Sequence, residues 1–300
     1  MKINILGAGA FGTALAIAFS PNHKIRLITL PKYFEELLSG YNCFIPDVKI
    51  PKSVEISLDI DPDCDVLFVA TPAQVIEEVV SRLKKELPKH IPIIFCSKGL
   101  YVKDNKPYLM TEYAKTTLKN PLYVLGGPNF ACELVEYKKS YANIAGPNAE
   151  AICDALSQSH FILEAWHDVC GIQVAGFMKN VFAIAAGYYE GQKKGLNEKA
   201  ALFTHAFQEM SLVGKTFWKA DFDDRTLLTY AGVGDLVLTC GSANSRNYKL
   251  GLALASGMSF DEFRKKHNLT AEGAYTAQSI YKIKGDLPLP TCDMIHNRLF

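Results

Sequence analysis

The chain has 300 residues, of which 49% are hydrophobic and 21% charged, with a formal net charge of +1. This is ordinary globular composition, at a length that suits two domains. The 32 Lys and Arg are balanced by 31 Asp and Glu and form no basic block, which argues against a nucleic-acid or membrane-surface partner.

The N-terminus opens with "INILGAGAFGTALAIAF" after Lys2, and Ala14-x-Ala16 could pass for a signal-peptide cleavage site. The same residues make a better strand, glycine turn and helix, and cleavage there would remove all three. Short apolar runs at 3–6, 24–29, 65–71, 92–97, 122–127 and 142–146 read as buried parallel strands. Helical stretches fall between them at 11–19, 33–39, 73–86 and 107–118. Such alternation predicts an α/β fold, a Rossmann-type doubly wound sheet. From about residue 168 the apolar spacing turns helical, and no clear strand follows residue 165. The expected organisation is a dinucleotide-binding domain over 1–167 and an all-helical, substrate-binding C-terminal domain over 168–300. No run is expected to cross a bilayer, because the longest apolar one, around Lys179, is interrupted by that lysine. The eight cysteines are widely spaced, with no zinc-type Cys/His cluster, so no metal is expected and the thiols read as free and mostly buried. Cys96 and Cys240 fall near motifs, yet packing is the simpler role for both.

Gly7-x-Gly9-x-x-Gly12 follows the first strand and opens the first helix. In a dinucleotide site Gly7 permits the turn, Gly9 lets a pyrophosphate approach, and Gly12 allows close helix–strand packing. Free N–H groups at the helix start then face the anion. The acidic residue that holds an adenosine ribose should close the second strand. Thr29, Leu30 and Pro31 stand there instead, followed by Lys32, which suits either a 2′-phosphate or a solvated turn, so NAD and NADP both stay open. Three later strand ends, "ATPAQ" with Pro72, "SKGL" with Lys98 and "GGPNFACE" with Gly127 and Asn129, bring small or cationic groups to the carboxyl rim of the sheet.

In the second half, "GFMKNVFAIAAG" places Lys179 on a helix whose i±3 and i±4 neighbours are Ala175, Gly176, Phe182 and Ala183. Such a lysine either snorkels to a surface or lines a cleft, where burial disfavours its charge and makes it a proton donor near neutral pH. Asp235 lies in the glycine-rich turn "AGVGDLVLTC". Ser245 reads as the N-cap of a helix ended by Gly257, which puts Arg246 and Asn247 in the first turn. Arginine there opposes the helix dipole, so it either pairs with a carboxylate or, with the free N–H groups, grips a phosphate. Carbonyl reduction by hydride transfer needs a proton and positive charge at the developing alkoxide. Lys179 can supply the proton, Lys98 and Asn180 can orient or polarise, and Arg246 can hold a substrate phosphate.

These stretches, with "GAGAFGTALA", "MKNVFAIAAGYYEG", "GLNEKAAL", "NSRNYKLG" and "AEGAYTA" in order, resemble the bacterial type of NAD(P)-dependent glycerol-3-phosphate dehydrogenase over nearly the whole chain. The resemblance implies interconversion of dihydroxyacetone phosphate and sn-glycerol 3-phosphate, supplying phospholipid synthesis. It implies Lys179, Lys98 and Asp235 as catalytic groups, and Lys98, Gly127, Asn129, Lys179, Asn180, Asp235, Thr239, Ser245, Arg246 and Asn247 around the substrate. The cofactor is expected at Gly7, Gly9, Ala10, Phe11, Gly12, Lys32, Pro72, Lys98, Ala131, Arg246, Thr270 and Glu272. A cytoplasmic homodimer acting on a small phosphorylated substrate is expected. Asn129 departs from the family's common serine, and "PLPTCDMIHNRLF" ends earlier than the resemblance leads one to expect, putting a terminal helix in question. The rival readings are a hydroxyacid or ketopantoate type of dehydrogenase, whose substrate carboxylate Arg246 could also hold, and a dinucleotide sensor without turnover.

Overall fold

The computed structural model describes residues 1–267 and 271–300, which divide into two compact units. The first comprises Met1–Ser97, Met110–Leu125 and Asn129–Val169; the second comprises Lys98–Leu109, Gly126–Pro128 and Cys170–Phe300. The second thus takes in two short excursions from the N-terminal half, and they carry Lys98 and Gly127.

The first unit is built on one sheet. Its strands in chain order are β1 (Lys2–Leu6), β2 (Lys24–Ile28), β3 (Val54–Ser57), β4 (Val66–Val69) and β5 (Ile93–Phe95). After a separate hairpin, β6 (Tyr101–Lys103) and β7 (Lys106–Tyr108), come β8 (Leu122–Gly126), β9 (Ser140–Ala145) and β10 (Phe161–Trp166). Across the sheet the order is β10-β9-β8-β5-β4-β1-β2-β3. The run from β3 to β8 is parallel, as is the β9–β10 pair. Val66, Leu67, Phe68 and Val69 are all fully buried, as continuous apolar strands covered on both faces must be. Helices α1 (Ala10–Phe19), α2 (Pro31–Leu38), α3 (Ile76–Glu86), α4 (Met110–Lys115), α5 (Ala131–Leu134) and α6 (Ala149–Leu156) connect the strands. The strand order reverses between β1 and β4, the point where such sheets hold ligands beyond their carboxyl ends. The glycine turn follows β1 there, and Ala70-Thr71-Pro72 follows β4.

In the main sheet two strands, β3 and β10, go beyond the six expected, and the hairpin strands β6 and β7 add two more. The helix expected over 107–118 shrinks to α4, because Lys106–Tyr108 is drawn into the antiparallel hairpin with Tyr101–Lys103.

The second unit packs α7 (Val169–Gly191), α8 (Leu196–Phe217), α9 (Asp235–Cys240), α10 (Arg246–Ala255), α11 (Phe260–His267), α12 (Glu272–Ile283) and α13 (Pro290–Leu299) around its own core. Phe177, Phe182 and Ile184 of α7, Met210 of α8, Leu236 of α9 and Leu250 of α10 belong to it, joined by Leu100 and Leu109 at the base of the hairpin. The glycine-rich stretch expected as a turn is a π-type turn over Tyr230–Gly234, and Asp235 starts α9 directly after it. The chain's last stretch forms α13, whose start is held by the buried Glu209: its carboxylate accepts the Thr291 N–H at 2.8 Å and the Cys292 N–H at 3.2 Å.

One reason given against a membrane span needs correction, that Lys179 disqualifies its own helix. The 23-residue α7 holds an 18-residue window of mean hydropathy 1.5 and so passes the length and composition test despite Lys179. Of that window 89% is buried within the protein, so its apolar character is that of a core helix.

Candidate functional site

In the first unit the glycine turn is shaped by its own backbone. A Cβ on Gly7, which has φ of +113°, would lie 2.8 Å from the Ala70 carbonyl oxygen, and one on Gly12 would lie 1.9 Å from that of Gly7. Protein packing therefore demands both glycines. A Cβ on Gly9 would meet nothing within 4 Å, so packing gives no reason for glycine there. A close-approaching ligand does, and the residues fit the dinucleotide pyrophosphate that the fingerprint implies. Helix α1 starts at this point with no side-chain cap and no acidic residue in its first turn, leaving its N–H groups and positive dipole end for an anion.

Ala10 and Phe11 form the half-buried first turn of α1, and Ala131 opens α5. Pro72 is exposed past the end of β4. Lys32 is exposed in the first turn of α2, with its ammonium 4.7 Å from the Tyr33 ring centroid. Asn129 is 5% exposed, and its amide Nδ2 is buried without a hydrogen-bond partner. An orphaned buried donor costs free energy unless an acceptor is supplied, so this side chain is suited to a ligand.

In the second unit the expected catalytic groups come together. Lys179, 4% exposed on α7, donates to Asp235 Oδ1 and, at 3.0 Å, to the Thr239 hydroxyl. Lys98 donates to the other carboxylate oxygen, Oδ2, at 2.9 Å. One buried carboxylate thus holds two ammonium groups. Thr239, one turn along α9, donates to the Asp235 carbonyl at 2.6 Å and is thereby aimed at Lys179. Of the two readings of Lys179, snorkelling is excluded. Its counter-charge is an acid 56 residues away in sequence, invisible to any inspection of its own helix.

The electrostatics follow from this arrangement. Burial lowers the Lys179 pKa most strongly; attraction to Asp235 opposes it, repulsion by Lys98 adds to it, and the result is about 7. Burial alone would raise the Asp235 carboxyl, but Lys179 and then Lys98 outweigh it and hold the group below its ordinary range. The Glu272 carboxyl, first in α12, is raised by burial against the attraction of Arg246, Lys98 and Lys179. Burial pushes the Cys240 thiol up to about 12, so this cysteine beside Thr239 packs and does not attack. Cys96 is likewise buried.

Beside the triad runs a chain of amides. Asn180 donates to the Lys98 carbonyl at 3.2 Å and accepts from Asn247 Nδ2 at 3.0 Å. Asn247 in turn accepts the Gly273 N–H at 3.0 Å. Helices α7 and α10 approach closely enough for this because a Cβ on Gly187 would lie 2.0 Å from the Tyr248 carbonyl oxygen, and one on Gly251 2.0 Å from that of Ile184. Ser245 caps α10, accepting the Tyr248 N–H at 3.2 Å, and Gly257 with φ of +88° ends it. Arg246 is exposed in the first turn, and among the described residues no carboxylate lies within salt-bridge distance of it. Its carboxylate neighbour is Glu272, which it attracts from beyond ion-pair distance. Gly127 is buried in the excursion that joins this unit. Thr270, expected at the cofactor, lies outside the described residues. The buried Asn42 is marked by no motif or periodicity, and the part played by the Gly273 N–H is not legible in the "AEGAYTA" stretch that contains it.

A family model described as the N-terminus of NAD-dependent glycerol-3-phosphate dehydrogenase matches residues 2–152, and its C-terminal counterpart matches 168–300. The glycerol-3-phosphate dehydrogenase (NAD(P)+) of Thermoanaerobacter sp. (strain X514) is 33% identical over 311 aligned positions, covering 100% of this chain and 93% of the relative. That of Gluconobacter oxydans (strain 621H) is 34% identical, covering 93% of this chain and 85% of the relative. The crystal structure of glycerol-3-phosphate dehydrogenase from Coxiella burnetii superposes with a TM-score of 0.92 at 29% identity, covering 99% of this chain and 94% of that one. With family models over both halves and full-length relatives above 30% identity, the chain belongs to the NAD-dependent glycerol-3-phosphate dehydrogenase family.

Proposed function

We propose that the protein is an oxidoreductase that interconverts dihydroxyacetone phosphate and sn-glycerol 3-phosphate, using NAD or NADP. The observation that carries this reading is the buried Lys179, held on Asp235 with a pKa near 7, in a chain of this family. A nicotinamide held by these residues would supply the hydride exchange at the substrate's C2. Lys179 does the proton chemistry at the C2 oxygen. Its neutral amine accepts the hydroxyl proton during oxidation, and its ammonium returns a proton during reduction. A pKa near 7 lets one group serve both directions at neutral pH. Lys98, on the same carboxylate, keeps positive charge beside the oxygen on which negative charge develops. Asp235 and Thr239 fix the direction of the Lys179 ammonium.

Arg246, Ser245 and Asn247 at the start of α10 hold the substrate phosphate, where an exposed guanidinium adds to the helix's positive end. Gly127 and Asn129 complete the substrate contacts. Asn180 acts through its partners: its amide holds the Lys98 carbonyl and Asn247, so it positions two contacts as well as lining the site. The cofactor set is Gly7, Gly9, Ala10, Phe11 and Gly12 with Lys32, Pro72, Lys98, Ala131, Arg246 and Glu272, and Lys32 offers a charge to a 2′-phosphate. A homodimer in the cytoplasm that feeds phospholipid synthesis is part of the proposal. It rests on the resemblance, and light scattering after gel filtration tests the dimer.

The deciding experiment follows the oxidation of NADH and of NADPH at 340 nm with dihydroxyacetone phosphate, and with ketopantoate as the carboxylate-bearing control. Turnover of the phosphate substrate alone is expected. Turnover of the carboxylate alone would refute the substrate, and binding of a dinucleotide without turnover of either would refute the catalytic reading.

A further inference from the structure

Asn42 is 3% exposed, lies outside every motif of the sequence, and spends its whole side chain on the glycine turn and its own loop. Its Nδ2 donates to the Ala8 carbonyl at 3.0 Å and to the Thr13 hydroxyl at 2.7 Å. Its Oδ1 accepts the Phe44 N–H at 2.9 Å. Ala8 precedes Gly9, the N-cap of α1, and Thr13 closes the first turn by donating its N–H to the Gly9 carbonyl at 3.0 Å. One amide therefore ties together both sides of the segment that the fingerprint assigns to the pyrophosphate.

The geometry of the peptide bond gives this tie a consequence. The Ala8 carbonyl and the Gly9 N–H belong to one planar trans unit and point in opposite directions. Holding the carbonyl toward Asn42 turns the Gly9 N–H away from it, and that N–H has no protein acceptor among the described residues. Asn42 itself is held from several sides. The Ile50 N–H donates to the Gly40 carbonyl at 2.8 Å, and the Cys43 N–H donates to the Glu36 carboxylate at 2.6 Å. Ile45 and Ile50 anchor the loop in the core of the sheet unit.

We infer that Asn42 is a positioning residue for the dinucleotide pyrophosphate: it aims the Gly9 N–H and the first turn of α1 at the phosphate oxygens. The inference rests on the dinucleotide use proposed above and on no particular substrate. Because the pyrophosphate is common to both dinucleotides, the effect must be the same for NADH and NADPH.

The test is titration of the full chain with each dinucleotide, followed by the change in nicotinamide fluorescence, with no ketone present. Asn42→Ala is expected to weaken both by roughly tenfold, the scale of one or two hydrogen bonds. The NADH to NADPH affinity ratio should stay constant, as should the KM for dihydroxyacetone phosphate at saturating dinucleotide. Thr13→Val breaks only the second bond without disturbing the loop, and should weaken both by a few fold, which keeps the test open if Asn42→Ala fails to fold. Unchanged affinity in these variants overturns the inference, whatever happens to the melting temperature. A changed ratio also overturns it, because Asn42 would then act on the adenosine side through Phe44. Failure of the unsubstituted protein to bind either dinucleotide would instead sink the cofactor reading, and is recognised before any variant is made.

Discussion

Replacing Asp235 by Asn tests the electrostatic core of the site, because the side chain keeps its shape and loses its charge. Lys179 titrates near 7 through a contest between burial, which lowers its pKa, and Asp235, which raises it. An opposite charge at this range is worth roughly 1–3 pKa units, so its loss takes the Lys179 pKa further down. At pH 7 the protonated fraction falls from about one half to about one in a hundred for a two-unit shift. Reduction of dihydroxyacetone phosphate needs that proton, so its kcat at pH 7 should fall by about 50-fold, within a range of roughly 5- to 500-fold. The sign separates this from general damage. Reduction by the variant should recover as pH is lowered toward 5, and in the oxidation direction the limb that rises through pH 7 in the unsubstituted enzyme should move to lower pH. Both are read from kcat across pH 5–9 with saturating substrates, with circular dichroism confirming the fold at each pH. The variant should stay folded at neutral pH, since the lysine can shed the proton that would otherwise be left buried and unpaired at a cost of about 3–5 kcal/mol. A variant whose pH limbs coincide with those of the unsubstituted enzyme, whatever its absolute rate, would refute control of Lys179 by Asp235.

Lys179→Ala should reduce turnover in both directions by roughly 10²–10⁴-fold, the scale of general acid–base catalysis, and leave dinucleotide affinity within about twofold; undiminished kcat would remove Lys179 from the mechanism. At saturating dinucleotide, Arg246→Ala should raise the KM for dihydroxyacetone phosphate by roughly 10- to 100-fold, the worth of a charge-assisted hydrogen bond, and should change kcat/KM for unphosphorylated dihydroxyacetone far less. An equal effect on both ketones would show that Arg246 does not read the phosphate. Gly9→Ala and Gly12→Ala should differ in kind. The Cβ on Gly9 meets no protein atom within 4 Å, so the variant should melt like the parent yet bind NADH at least about tenfold more weakly. The Cβ on Gly12 falls 1.9 Å from the Gly7 carbonyl oxygen, so that variant should lose stability in the absence of any ligand. Comparable melting temperatures for the two would contradict the division between packing and ligand glycines.

What the sequence reveals here depends on the range of the interaction concerned. The alternation of apolar runs, the glycine fingerprint and the caps of α10 are local, and each is recognisable within about ten residues. So is the oddity of Lys179, which has no polar neighbour one turn away in either direction. Its explanation is not local: Asp235 lies two helices further on, and the π-type turn that aims α9 has no sequence rule of its own. The same division separates Gly9, whose purpose the fingerprint states, from Asn42, which serves the same segment from a loop 33 residues later, where an asparagine reads as one more turn residue. Asn180 shows the intermediate case. Its neighbour Lys179 draws attention to it as a substrate contact, but the Lys98 carbonyl and Asn247 of α10 engage the two ends of its amide with protein. Sequence can therefore nominate the atoms that do chemistry, because their chemistry is unusual for their place. It leaves unmarked the groups that hold them still, because a buried amide is paired by tertiary contacts that only the folded chain creates.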